Sequence, residues 1–177
     1  LKQAQKASVN QSSSGFPMYT FGLALAFLLL VAFVICQTVS APEGQLSLLI
    51  IAAVIGGYMA LNIGANDVAN NMGPAVGGGV ISVGTAILIA VVCESAGALL
   101  AGGDVVKTVA KGIISPDESL SVESFRTLMV CALLAAALWI NLATALNAPV
   151  STTHSIVGGV LGGGMAAAGM AVVNWPT

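Results

Sequence analysis

Two short stretches of this chain hold the side chains that could do chemistry. The first is "NIGANDVANNMGPAVGGG", Asn62 to Gly79. It carries one carboxylate, Asp67, and the amides Asn62, Asn66, Asn70 and Asn71. On a helix Asn62, Asn66 and Asn70 recur every fourth residue, as do Asp67 and Asn71, so their oxygens lie on neighbouring faces. Gly64, Gly73, Pro74 and Gly77 to Gly79 would let the backbone open there. Opened carbonyls beside a carboxylate form a hard-oxygen site suited to a small cation. A single membrane asparagine more often just bonds a neighbouring helix. An acid among several amides, next to bendable backbone, points further, to ion binding.

The second stretch is "PVSTTHS", Pro149 to Ser155. Pro149 stops the preceding helix, and Ser151 or Thr152 can cap the next. A helix start offers free N–H groups and a partial positive end. The adjacent hydroxyls of Ser151, Thr152 and Thr153 add donors, which makes an anion site without a fixed charge. Capping alone would use one hydroxyl. His154 is expected as a hydrogen-bonded interior residue, because no second metal ligand lies at a suitable spacing. A third candidate stands between the two stretches. Glu94 lies in the stripe Ala86, Ala90, Glu94, Ala98, Gly102. Small residues admit a neighbouring helix, so Glu94 is expected to point into a bundle. A structural hydrogen bond to a nearby hydroxyl or amide is its plainer use.

The elements that must position these residues follow from composition. Of 177 residues 57% are hydrophobic and 7% charged, with a mean hydropathy of +0.98. A soluble domain has roughly 25% charged residues, so this is a membrane protein. The net charge of -2 offers no basic face for nucleic acid. Cys36, Cys93 and Cys131 sit far apart in apolar segments and read as small buried hydrophobes.

Residues 1–18 form a polar, Ser/Gln-rich tail that begins with Leu, as a fragment or processed chain would. "NQS" at Asn10 to Ser12 matches a glycosylation sequon, a pattern common by chance. An extra N-terminal span covers 19–39. It is followed by the turn "SAPEG" and a second span at about 46–64. A third covers about 80–101. Residues 102–126 hold seven of the twelve charges and read as an extramembrane connection, with an amphipathic piece near 105–114. A fourth span covers about 127–146, and a fifth, Gly-rich segment runs to about Val173. No strand alternation is visible. The expected fold is therefore an all-α polytopic membrane bundle with discontinuous or re-entrant helices. The lysines leave its orientation undecided.

"GANDVANNMGPAVGGG" and "PVSTTHSIVGG", with "CESAGALLAGGDVV" between them, resemble the PiT-type family of inorganic phosphate transporters. The likeness runs from about Gly56 to Gly164. That family is built from two halves of inverted topology, and this sequence has one copy of each motif. The resemblance therefore implies one half of an inverted-repeat transporter, with 46–177 as its first repeat and the second half as a partner. It implies ion-coupled symport of inorganic phosphate across the plasma membrane (the inner membrane, if bacterial). Na⁺ or H⁺ is the coupling ion, and there is no other cofactor. By position Asp67 and Asn70 match coupling-cation ligands, holding Na⁺ if the protein is sodium-coupled. Ser151, Thr152 and Thr153 match phosphate contacts, with Asn66 a further one. Glu94 matches an acid essential for transport. A homodimer is left open.

Sulfate or another oxyanion is the main alternative substrate. Phosphate keeps a proton near neutral pH and can donate a hydrogen bond, which sulfate cannot, so a carboxylate beside the anion would favour phosphate. An anion channel suits paired helix breaks less well. Ser151 and His154 are too close along one helix start to make a triad, so no enzyme is expected. A purely structural membrane subunit is the remaining alternative.

Overall fold

The computed structural model describes residues 18–42, 44–114 and 121–174. The tail, the "NQS" match and residues 115–120 of the connection lie outside them. Five α-helices follow in order: α1 Met18–Thr38, α2 Gln45–Gly77, α3 Val83–Lys111, α4 Val122–Ala145 and α5 Thr152–Ala168. A 3₁₀ turn, Met170–Val172, closes the described chain. Among the described residues no strand forms beyond an isolated bridge between Ile114 and Val173. The helices α1 to α4 are long and apolar enough to cross a membrane. The 17-residue α5 is shorter. Two compact units divide at Val54 and Ile55, within α2. The first holds α1, whose apolar side chains are exposed along its length. All candidate residues belong to the second.

Helix α2 corrects one expectation. The polar stretch does not open the backbone: Asn62 to Gly73 is helical, and α2 runs on through Pro74 to Gly77. Its carbonyls are mostly engaged in the helix. Proline has no N–H, so only the carbonyl of Asn70, four residues before it, is released by sequence. The break comes later. Gly79 takes φ +72, while its N–H bonds Val76 O and that of Val80 bonds Ala75 O. That is a Schellman end, where glycine is favoured because the left-handed conformation costs it nothing. Ser82 then caps α3 by accepting from Thr85 N.

The same device ends α4. Asn147 takes φ 54, its N–H bonds Thr144 O, and Ala148 N bonds Ala143 O. Asparagine is the usual substitute for glycine there. Pro149 then prevents continuation, and Ser151 caps α5, accepting from His154 N. Helix α3 extends to Lys111, so the amphipathic piece is continuous with the third span rather than separate. Helix α5 ends at Ala168, short of the expected Val173, where Gly169 turns at φ 81.

Helices α4 and α5 pack closely because their facing residues are small. A Cβ on Gly159 would lie 2.7 Å from Ala132 O, and one on Gly163 would lie 3.7 Å from Ala132 Cβ. This is a G-x-x-x-G approach. Ile114, Leu128, Ala132, Val160, Val172 and Val173 form one buried cluster, and Met59, Ala136, Ala137 and Ile140 a second that joins α2 to α4. The three cysteines are exposed, not buried as expected. They lie on apolar helices, so in a bilayer an outward thiol meets acyl chains and needs no core.

Candidate ion and anion site

The helical register of α2 stacks Asn62, Asn66 and Asn70 along one edge, and the α4–α5 pair covers it. Asn62 and Asn66 are buried, and Asn70 is half-buried. Burying an amide without partners costs roughly 1–3 kcal/mol or more. Each amide here has partners. Asn62 donates to Tyr58 O at 2.8 Å and accepts from Asn141 Nδ2 at 2.8 Å. Asn66 donates to Thr144 Oγ1 at 3.1 Å and accepts from Asn70 Nδ2 at 2.8 Å. Asn70 also donates to Val150 O at 3.3 Å. Among the described residues no buried side-chain N or O atom lacks a partner. The ladder thus sets the register between α2 and the α4–α5 break.

At its lower end the two motifs meet. Thr152 Oγ1 donates to Asp67 Oδ2 at 2.9 Å, across 85 residues of sequence. Thr152 is 8% exposed, and Asp67 is half-buried. A carboxylate bonded to a hydroxyl stays an acceptor on its remaining lone pairs, so it can still meet a cation. Ser151 is occupied differently. It caps α5, and its Oγ lies 2.8 Å from His154 Nδ1. His154 is hydrogen-bonded as expected, but it is exposed rather than interior. Thr153 is exposed beside them. A cleft of about 340 Å³ opens next to the ladder, lined by Asn66, Asn70, Thr144, Asn147 and Pro149 among others.

The structure therefore brings Asn66, Asp67, Asn70 and Thr152 together, with Ser151 and Thr153 adjacent in sequence on the α5 start. It does not bring Glu94 to them. Ala86 and Ala90 of its stripe are buried, but Glu94 and Ala98 are exposed, which corrects the expectation that Glu94 points inward within this chain. The reason is that no described helix covers that stretch of α3. Sequence reading missed Asn141 and Thr144. Their signal was present: two polar residues three apart in the apolar run "WINLATAL", one helical edge's worth of partners for an asparagine ladder. Asn71 was counted with the cluster but is exposed, on another face of α2.

Residues 63–177 match the phosphate transporter family. This chain belongs to that family. It is 49% identical over 176 residues to a protein of Helicobacter pylori strain J99 named "Putative phosphate permease", covering 99% of this chain and 32% of that protein. A protein of the same name from Chlamydia muridarum is 47% identical over 129 residues, 72% of this chain and 30% of its own length. A solved structure described as "The sodium-dependent phosphate transporter" superposes with a TM-score of 0.68 at 47% identity. It covers 73% of this chain, which spans 32% of that one. The chain thus spans about a third of the length of the relatives it matches. The family match begins at Ile63 and takes in both motifs, whereas α1 lies outside it.

Proposed function

We propose that this chain is one repeat of a plasma-membrane, multi-pass symporter that moves inorganic phosphate with Na⁺. Asp67 and Asn70 supply cation ligands. Ser151, Thr152, Thr153 and Asn66 supply anion contacts, and Glu94 is an acid that transport requires. Residues 46–177 form the first repeat and 102–126 its extramembrane connection, while a second half completes the site. The observation that carries this reading is the 2.9 Å bond between Thr152 and Asp67, which sets a hydroxyl-rich helix start against an acid on a separate helix. A cation at Asp67 would offset the acid's repulsion of an oxyanion one hydrogen bond away. Binding one ion then favours the other, as symport needs.

Sodium is favoured over a proton because the solved relative at 47% identity is named as sodium-dependent. The site's neutral amide and hydroxyl oxygens beside one carboxylate suit that ion. Phosphate is favoured over sulfate by the same contact. An anion touching Thr152 lies close to Asp67, and only an anion that keeps a proton can donate to a carboxylate. The test is uptake of radiolabelled phosphate into proteoliposomes of the intact transporter, with inward Na⁺, inward H⁺ or no gradient and with sulfate as competitor. Uptake driven by Na⁺ and insensitive to sulfate is expected. Uptake that ignores both gradients, or that sulfate abolishes, overturns the assignment.

A further inference from the structure

We infer that the Thr152 hydroxyl is the switch that links cation occupancy to anion affinity. This rests on the phosphate-symport reading above and specifies its wiring. A threonine hydroxyl has one proton to donate. In this structure that proton goes to Asp67 Oδ2, over 2.9 Å, from a side chain only 8% exposed. A donor bound to a carboxylate is not available to an anion. The neighbouring hydroxyls do not share this position. Ser151 is held at the helix cap and by His154 Nδ1, and Thr153 is exposed. Among the described residues, Thr152 is the hydroxyl of the α5 start that bonds the acid of α2.

The direction of the proton follows from which acceptor is stronger. With Asp67 ionised and unpaired, its carboxylate holds the proton and its charge repels an oxyanion. A cation on Asp67 draws charge from Oδ2 and weakens it as an acceptor. A phosphate at the α5 start is then the better acceptor, and rotation about the Cα–Cβ bond carries the hydroxyl to it. Thr152 is the first residue of α5, beside the free N–H groups of the helix start, so the two acceptors lie within reach of one side chain. The hydroxyl thus reports cation binding to the anion within a single side chain. Linkage makes the effect reciprocal: phosphate must tighten Na⁺ binding by the same factor.

The experiment is a double titration of the purified intact transporter, wild type, Thr152→Val and Thr152→Ser. Phosphate is titrated in saturating Na⁺ and with choline in its place, and Na⁺ is titrated with and without phosphate. In Na⁺, Thr152→Val is expected to weaken phosphate binding roughly tenfold to a hundredfold, the worth of one hydrogen bond to a charged group. In choline it changes little, since the proton was not available there. The tightening of Na⁺ by phosphate falls by the same factor, which gives the result even where binding in choline is weak. Thr152→Ser, which keeps the hydroxyl, follows wild type and guards against misfolding. Equal weakening with and without Na⁺ overturns the switch in favour of a constant contact, and unchanged phosphate–Na⁺ linkage in the Val variant overturns it outright. A wild type that binds no phosphate under either condition instead defeats the transport reading itself.

Discussion

Asp67 and Glu94 are both acids within long apolar helices, and the molecule treats them differently. Asp67 lies on α2 where the α4–α5 break crosses it, and Thr152 answers its charge. Glu94 lies on α3, is exposed, and makes no side-chain hydrogen bond among the described residues. At membrane depth an acid costs roughly 2.5–3.5 kcal/mol on insertion scales. Asp67 offsets part of that cost within this chain. Glu94 can offset it only through groups beyond the described residues or by lining water. One acid is therefore bonded to another helix of this chain, beside the polar ladder, and the other is exposed. The comparison separates an acid bonded within the chain from one left exposed on it.

The sharpest way to break the comparison is charge removal at Asp67. Asp67→Asn keeps size and one acceptor, so the protein should still accumulate in the membrane. Na⁺-driven phosphate uptake should fall about a hundredfold, equivalent to about 2.8 kcal/mol of ion binding. Uptake in proteoliposomes, normalised to transporter content, measures it. Normal uptake would place the ion chemistry elsewhere.

Glu94→Gln should cost less, about tenfold in uptake, with accumulation and Na⁺ affinity near wild type. A variant that disappears from the membrane yet transports normally per molecule would make Glu94 structural. A loss of Na⁺ affinity matching that of Asp67→Asn would erase the distinction between the two acids.

A third test probes the close packing of α4 against α5, the helix that carries Thr152. The Cβ of Gly159→Ala would meet Ala132 O at 2.7 Å and force α4 and α5 apart. Destabilisation of about 1–3 kcal/mol is expected, read as a lower melting temperature together with weaker Na⁺ binding. Gly158→Ala, with nothing within 4 Å of its Cβ, is the control and should be neutral or slightly stabilising. Equal effects would show that the close approach is not what holds Thr152 against Asp67.

The smallest effect is expected at the α4 end. Asn147 stands at φ 54. Asn147→Gly should be nearly neutral, whereas Asn147→Val should cost about 1–2 kcal/mol, because a β-branched residue resists the left-handed region. Thermal melts of both variants test it. A valine variant as stable as the glycine one would mean that the turn can relax.

Much of this was legible in residues alone. The apolar runs and sparse charge require membrane helices whatever their arrangement, because lipid leaves backbone groups no partner but the helix itself. Pro149 and Ser151 mark the end of α4 and the start of α5, since a missing N–H and a capping hydroxyl act within a few residues. The fourfold spacing of Asn62, Asn66 and Asn70 likewise puts them on one edge of any helix. Local chemistry could not say whether "NMGP" would break that helix. The structure keeps it whole to Gly77: interhelical bonds hold Asn62 and Asn66 in helical register, and Pro74 falls only in the last turn. Nor could spacing name Asn141 and Thr144 as partners, or turn Thr152 toward Asp67 and Glu94 away from the site. Those contacts and exposures involve residues far apart in the chain, and they depend on how the helices pack against one another. Types and periods are properties of the chain, whereas pairing across helices depends on distances that only the packed structure sets.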